Sequence, residues 1–143
     1  FIFFPVLLFW KIGGANTVED TAICLGTALR DALGDKRGIG RYGFLLPMDE
    51  SEARVALDLS GRAAFSFSGD FPRDNVGELS TEMVEHFFKS FTDTARCNLN
   101  IKAEGTNEHH KIESIFKAFS KALRGAVALN AASDKLPSTK GTL

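Results

Sequence analysis

Cysteine, net charge and histidine are all scarce in this sequence, and each shortage narrows what it can be. Cys24 and Cys97 share no CxxC spacing, and two cysteines cannot build a disulfide framework. That content fits a reducing cytoplasmic or organellar compartment. Seventeen Lys+Arg against eighteen Asp+Glu leave a formal charge of -1. The balance gives no general electrostatic reason to bind nucleic acid or an anionic membrane. Basic residues do recur in the second half, which leaves room for a local anion site.

The apolar opening, "FIFFPVLLFW", falls well short of the ~20 residues a membrane span requires. It also lacks the basic flank and small-residue cleavage site of a signal peptide. It reads either as a buried strand without its neighbours or as a segment foreign to the natural protein. The whole chain, 143 residues with 24% charged and 44% hydrophobic, fits one globular domain of ordinary size.

Periodicity supplies the elements. "NTVEDTAICLGTALRDALGDKRGIG" predicts a helix capped by Asn16 or Thr17, with Glu19 and Asp20 in its first turn and Gly34 as its stop. Val18, Ala22, Leu25 and Leu29 recur at helical spacing. "EARVALDLSG" and "AAFSFSGDF" alternate, and the short "SGR" link predicts an antiparallel pair. "STEMVEHFFKSFTDTA" predicts a helix with Ser80 as N-cap and Val84, Phe87, Phe88 and Phe91 inward. "CNLNIKAEG" is a further strand ended by Gly105. "HHKIESIFKAFSKALRGAVAL" is the longest helix, with Ile112, Ile115, Phe116, Phe119 and Leu123 inward. The tail "NAASDKLPSTKGTL" has no period and predicts loop. Residues 44–128 thus predict a two-layer α+β unit, with helices on one face of a mostly antiparallel sheet. One lone helix stands ahead of it.

Two of the three histidines, His109 and His110, are adjacent at the mouth of the last helix. His109 and Glu113 sit at i and i+4 on one face, while His110 is turned by ~100°. Such a turn offers a His/carboxylate pair to one metal and a second imidazole to another, in sites shared between elements or subunits. Imidazole with carboxylate suits Mn, Fe, Zn or Ni. The plainer alternative is a solvated first turn in which Glu113 pairs with Lys117. Two features favour the metal. His86 lies on the other strongly patterned helix, and "ANTVED" has the register of "HHKIES", with Glu19 standing where Glu113 does. "TAICLGTALRDAL" and "IFKAFSKALRGAV" are alike in kind, which points to an internal duplication.

"TVEDTAICLGTALRDALGDKRGIGRYG", "PMDE", "LDLSGR", "GELSTEMVEHFFKSF", "EHHKIESIFKAFSKALR" and "PSTKG" occur in the order of the imidazoleglycerol-phosphate dehydratases. The chain resembles that family over residues 17–143. "NLNIKAEG" is similar to the dehydratase part of bacterial bifunctional forms that carry a histidinol-phosphatase domain. The resemblance implies a duplicated α+β fold of units like the second domain of ribosomal protein S5, the second copy complete and the first truncated. On that division residues 1–16 are an atypical apolar segment and 17–43 the remaining helix of the first repeat. Residues 44–130 are the second repeat, and 131–143 a phosphate-binding tail.

The resemblance further implies a cytoplasmic, metal-dependent hydro-lyase of histidine biosynthesis, acting on imidazole glycerol phosphate. It implies two Mn2+ per active site, between subunits of a homo-oligomeric shell of twenty-four chains. The implied metal ligands are Glu19, His86, His109, His110 and Glu113, with Glu19 and Glu113 also as proton-handling carboxylates. The implied phosphate-binding residues are Arg41, Arg62, Lys117, Ser138 and Lys140. An arginine fork with ammonium groups from separate elements suits a phosphate. The sequence departs from the family in having Ala15 and Asn16 where members carry His-His, and in lacking a further N-terminal histidine and an acidic residue. These departures imply an incomplete chain with an exposed apolar face on its first helix. A non-catalytic remnant that binds metal or partner subunits, and a metal-dependent phosphohydrolase, are the alternatives.

Overall fold

The computed structural model describes residues 15–43, 46–129 and 135–139. The apolar opening and Lys140 lie outside the described residues. In chain order the elements are α1 (Ala15–Leu33), β1 (Tyr42–Gly43), β2 (Leu46–Met48), β3 (Ser51–Asp58), β4 (Ala64–Ser68), β5 (Asn75–Val76), β6 (Leu79–Ser80), α2 (Glu82–Ala95), β7 (Asn98–Glu104) and α3 (Glu108–Val127).

Alternation along β3 and β7 decides which face of the sheet is covered. Ala53, Val55 and Leu57, with Leu99, Ile101 and Ala103, are buried, while Glu52, Arg54, Asn100, Lys102 and Glu104 point to solvent. The covered face meets α2 and α3. Phe87 and Phe88 of α2 pack on Phe116, and Phe88 and Phe91 pack on Phe119, at ring-centroid distances of 4.9–5.4 Å. Phe88 and Phe91 are completely buried, and each such burial contributes ~1.5–3 kcal/mol.

The main sheet has the order β1-β3-β7-β4, and β2 shares the outer edge of β3 with β1. The predicted antiparallel pairing of "EARVALDLSG" with "AAFSFSGDF" is therefore overturned. β7 lies between them, antiparallel to β3 and parallel to β4. The link after β3 does not fold back as a hairpin but passes over the start of β7. There the Asn98 amide donates to Ser60 Oγ and to the Arg62 carbonyl at 2.9 Å. β4–α2–β7 is a parallel crossover unit, whose connecting helix supplies the length such a connection needs.

Two expected caps fail. Ser80 belongs to β6, paired with Asn75, and Thr81 occupies the cap position with its hydroxyl turned to the Arg73 and Asp74 carbonyls. Asn16 and Thr17 lie inside α1, so Glu19 and Asp20 sit deeper in it than expected. Gly34 does stop the helix, at a φ of +51°.

Among the described residues α1 has no sheet beneath it and lies along α2 instead. Its seam is Val18, Ala22 and Gly26, a stripe at i, i+4 and i+8, whereas Leu25 is 36% and Ile23 37% exposed. Helical spacing alone did not separate the Leu25 face from the seam. A Cβ at Gly26 would collide with Thr94 Oγ1 and stand 2.8 Å from the Phe91 carbonyl oxygen, a backbone atom that cannot turn aside. Gly26→Ala is therefore expected to lower unfolding free energy by about 1–3 kcal/mol in urea titrations. At a site with room, helix propensity would instead raise it by ~1 kcal/mol.

Candidate functional site

The first turn of α3 is fixed by its cap. Asn107 Oδ1 accepts from the backbone N–H groups of His109 at 2.9 Å and His110 at 3.4 Å. Being consecutive, the two histidines diverge, and their ring centroids stand 6.0 Å apart. His109 Nε2 lies 3.5 Å from Glu113 Oε2, one turn on, and Glu113 Oε1 lies 2.6 Å from Lys117 Nζ. Lys117 also reaches Met48 of β2. The plain i,i+4 ion pair and the His/carboxylate pair thus coexist, sharing one carboxylate.

His110 turns to the β2–β3 connection, where its Nδ1 lies 2.7 Å from Glu50 Oε2. The other Glu50 oxygen accepts from Asn107 N–H at 3.1 Å and from Ser51 Oγ at 3.2 Å. The His110 hydrogen bond leads these in holding the Glu50 carboxyl down at about 2, and Glu50 in turn raises the His110 imidazole. An ionised carboxylate only accepts, so Nδ1 carries the proton of this bond. In the neutral ring Nε2 then keeps a lone pair, the tautomer a metal ligand needs. Asp49 Oδ2 is 4.0 Å from that nitrogen. Glu50 was missed as a site residue from the sequence. The signal was the acidic pair in "PMDE", set in a turn just before an alternating strand.

On the neighbouring pair of helices, His86 Nε2 of α2 lies 3.3 Å from Glu19 Oε2 of α1. Two donors each ~2.1 Å from one ion, at octahedral or tetrahedral angles, stand about 3.0–3.4 Å apart. The Glu19–His86 separation falls within that range and the His109–Glu113 separation lies just beyond it, and all four side chains remain partly open to solvent. Among the described residues no group of three or more His, Cys, Asp or Glu converges on one point. The expected ligands are therefore present as two pairs, with His110 standing beside Glu50.

The expected phosphate-binding residues divide. Lys117 is on the histidine side. Arg41 lies beyond the far end of β3, where Nε and one terminal nitrogen clasp Asp58 at 2.5 and 3.0 Å and the other donates to the Pro137 carbonyl at 2.7 Å. The hydrogen bond to Asp58 raises the Arg41 guanidinium further. The Pro137 contact holds the segment of Ser138 beside Arg41, and Arg62 follows the same end of β3. β3 runs from Ser51 next to Glu50 to Asp58 next to Arg41, about 23 Å at ~3.3 Å per residue. One chain does not bring the two groups together. A shallow recess lined by Arg54, Ser66, Ser68, Asn100 and Lys102 lies on the open sheet face, away from both groups.

Comparison with known proteins bears on the family of the chain. A family model described as imidazoleglycerol-phosphate dehydratase matches residues 10–123. The histidine biosynthesis bifunctional protein HisB of Spirosoma linguale is 62% identical over 129 residues, covering 90% of this chain and 34% of that protein. The HisB of Stenotrophomonas maltophilia strain K279a is 57% identical over 128 residues, covering 90% and 35%. The chain thus spans about a third of the length of these curated relatives. The crystal structure of imidazoleglycerol-phosphate dehydratase from Staphylococcus aureus subsp. aureus N315 superposes with a TM-score of 0.79 at 41% identity, covering 83% of this chain and 71% of that one. That from Pyrococcus furiosus gives 0.78 at 29% identity, covering 90% and 71%.

The Glu50–His110 pair has a pH signature. The lowered Glu50 carboxyl contributes stability above its ordinary 4.5, lost as pH falls toward 2. The raised His110 contributes below its ordinary 6.5, lost as pH rises through its folded value. Both contributions are complete between about pH 4.5 and 6.5. Glu50→Gln is expected to move the NMR titration midpoint of His110 down toward the ordinary value, and an unmoved midpoint would contradict the assigned pairing.

Proposed function

Because the chain belongs to the imidazoleglycerol-phosphate dehydratase family, we propose that it supplies the larger part of a di-manganese site. The site dehydrates imidazole glycerol phosphate to imidazole acetol phosphate in histidine biosynthesis. The observation that carries this reading is the pairing of implied ligand histidines with carboxylates at or close to ligand-edge separation, Glu19 with His86 and Glu113 with His109. We read the fold as the second of two repeats like ribosomal protein S5 domain 2, preceded by the last helix of the first.

Glu19, His86, His109, His110 and Glu113 would hold the ions, with Glu50 orienting His110 through Nδ1. When bound, the ions supply positive charge that draws electron density into the substrate ring and orients its oxygens. The reaction expels the hydroxyl beside the ring and a proton from the neighbouring carbon, leaving an enol that becomes the ketone. Glu113 or Glu19 takes that proton and passes it to the departing hydroxyl, which leaves as water. It then carries the enol O–H proton to the carbon beside the ring, as a positioned carboxylate can. Lys117, at 2.6 Å from Glu113, holds that carboxylate in place and offers its remaining donors to phosphate.

Arg41, Arg62, Ser138 and Lys140 complete the phosphate site from another copy of the chain, since β3 separates Arg41 from the histidines of its own copy. Arg41 is already oriented for the task. Asp58 and Pro137 use three of its five N–H groups, which leaves two for an anion. The assembly is a homo-oligomer acting in the cytoplasm on a diffusible phosphate ester.

Ala15 and Asn16 favour a second reading, a remnant that keeps metal or subunit binding without turnover. Ala15 stands one helical turn ahead of Glu19 in α1. A histidine there would add a third donor beside the Glu19–His86 pair. Calorimetric Mn2+ titration of the full chain should show binding that weakens at least tenfold in Glu113→Gln and tightens at least tenfold in the Ala15→His, Asn16→His double variant. Tighter binding accompanied by dehydration would establish a damaged enzyme, and tighter binding without turnover a remnant. Mn2+-dependent release of inorganic phosphate from the substrate would replace both with a phosphohydrolase.

A further inference from the structure

We propose that the connection 70–74 is a strap that sets the two histidine-bearing helix ends against each other, with Lys111 and Glu108 as its positioning residues on α3. The inference rests on the metal-site reading above for its functional consequence. Helical rotation puts Glu108 and Lys111, at i and i+3, on the inward face, while His109 and His110 between them face out. Both inward residues are charged and nevertheless buried, at 5% and 4% exposure. A charge in such a place needs partners, and both find them in the same connection. Lys111 Nζ donates to the Asp70 carbonyl and stands 5.1 Å from the centroid of the Phe71 ring. A Glu108 carboxylate oxygen lies 3.5 Å from Arg73 Nε.

The strap is anchored elsewhere too. Phe71 stacks on Phe67 of β4 at 6.3 Å, which fixes it to the sheet edge. At its far end Thr81, immediately before α2, donates its hydroxyl to the Arg73 carbonyl at 2.8 Å and its N–H to the Asp74 carbonyl at 2.9 Å. Five consecutive residues therefore join the turn that carries His109 and His110 to the start of the helix that carries His86. Neither buried charge touches a reacting group. Their place one residue either side of the histidine pair makes them the device that holds its orientation.

Hydrogen exchange and Mn2+ affinity on the full chain test this together. Lys111→Met keeps the buried stem and removes the ammonium. It should speed exchange at 107–112 and 81–86 while leaving 115–126 unchanged, and weaken Mn2+ binding about tenfold. Lys111→Arg, which can still donate to the Asp70 carbonyl and lie over Phe71, should restore both. Should Lys111→Met not fold, Glu108→Gln carries the same test through the Arg73 contact. Unchanged exchange, or lost protection with unchanged affinity in a parent that binds Mn2+, would overturn the proposal. A parent that binds no Mn2+ would strike at the dehydratase reading instead, and the exchange rates would still decide whether the strap exists.

Discussion

The interlocked phenylalanines of α2 and α3 are the constraint on which the rest of this chain depends. Phe87, Phe88 and Phe91 mesh with Phe116 and Phe119 in ascending order, so the two helices run in the same direction over the sheet. Parallel helices present their N-termini at one end. His86, His109 and His110 owe their common end of the molecule to that aromatic seam, and not to any attraction among themselves. The arrangement also explains how, among the described residues, α1 docks chiefly on α2. The helical layer is already tied to the sheet, and α1 needs only a narrow stripe of small residues to dock.

The charges are arranged with the same economy. On the open face, Glu52 with Arg54 and Lys102 with Glu104 neutralise one another along single strands. Exposed pairs of this kind contribute little to stability. The charges that matter are held by neighbours from other elements, Glu50 by His110 and Arg41 by Asp58. Cys97, fully buried with its thiol pushed up to about 12 by desolvation, is chemically quiet.

Most of the secondary structure was legible because hydrophobic periodicity is local: the Phe positions of α2 and the alternation of β3 and β7 read directly. Strand order was not legible, because it depends on where Asn98 catches the link after β3, a contact between residues far apart in sequence. Ser80 and Leu25 misled for a related reason. Each satisfies a local rule, capping or spacing, that a tertiary neighbour overrode, the β5 partner Asn75 in one instance and the Gly26 seam in the other. At the site, the His109–Glu113 spacing could be read from helix geometry. The Glu50 contact could not, since nothing local aims a turn residue at a helix beginning nearly sixty positions later.

The first turn of α3 reads inward and outward in strict succession: Glu108 in, His109 and His110 out, Lys111 in. Two independent messages, one for anchoring and one for ligation, are thus written in the same four codons and share one reading frame of rotation. Lengthening the turn by a single residue would swing one set ~100° relative to the other. Side-chain replacement at these positions is a graded change, whereas insertion or deletion is all-or-none. The length of the turn is therefore held as tightly as its four side chains.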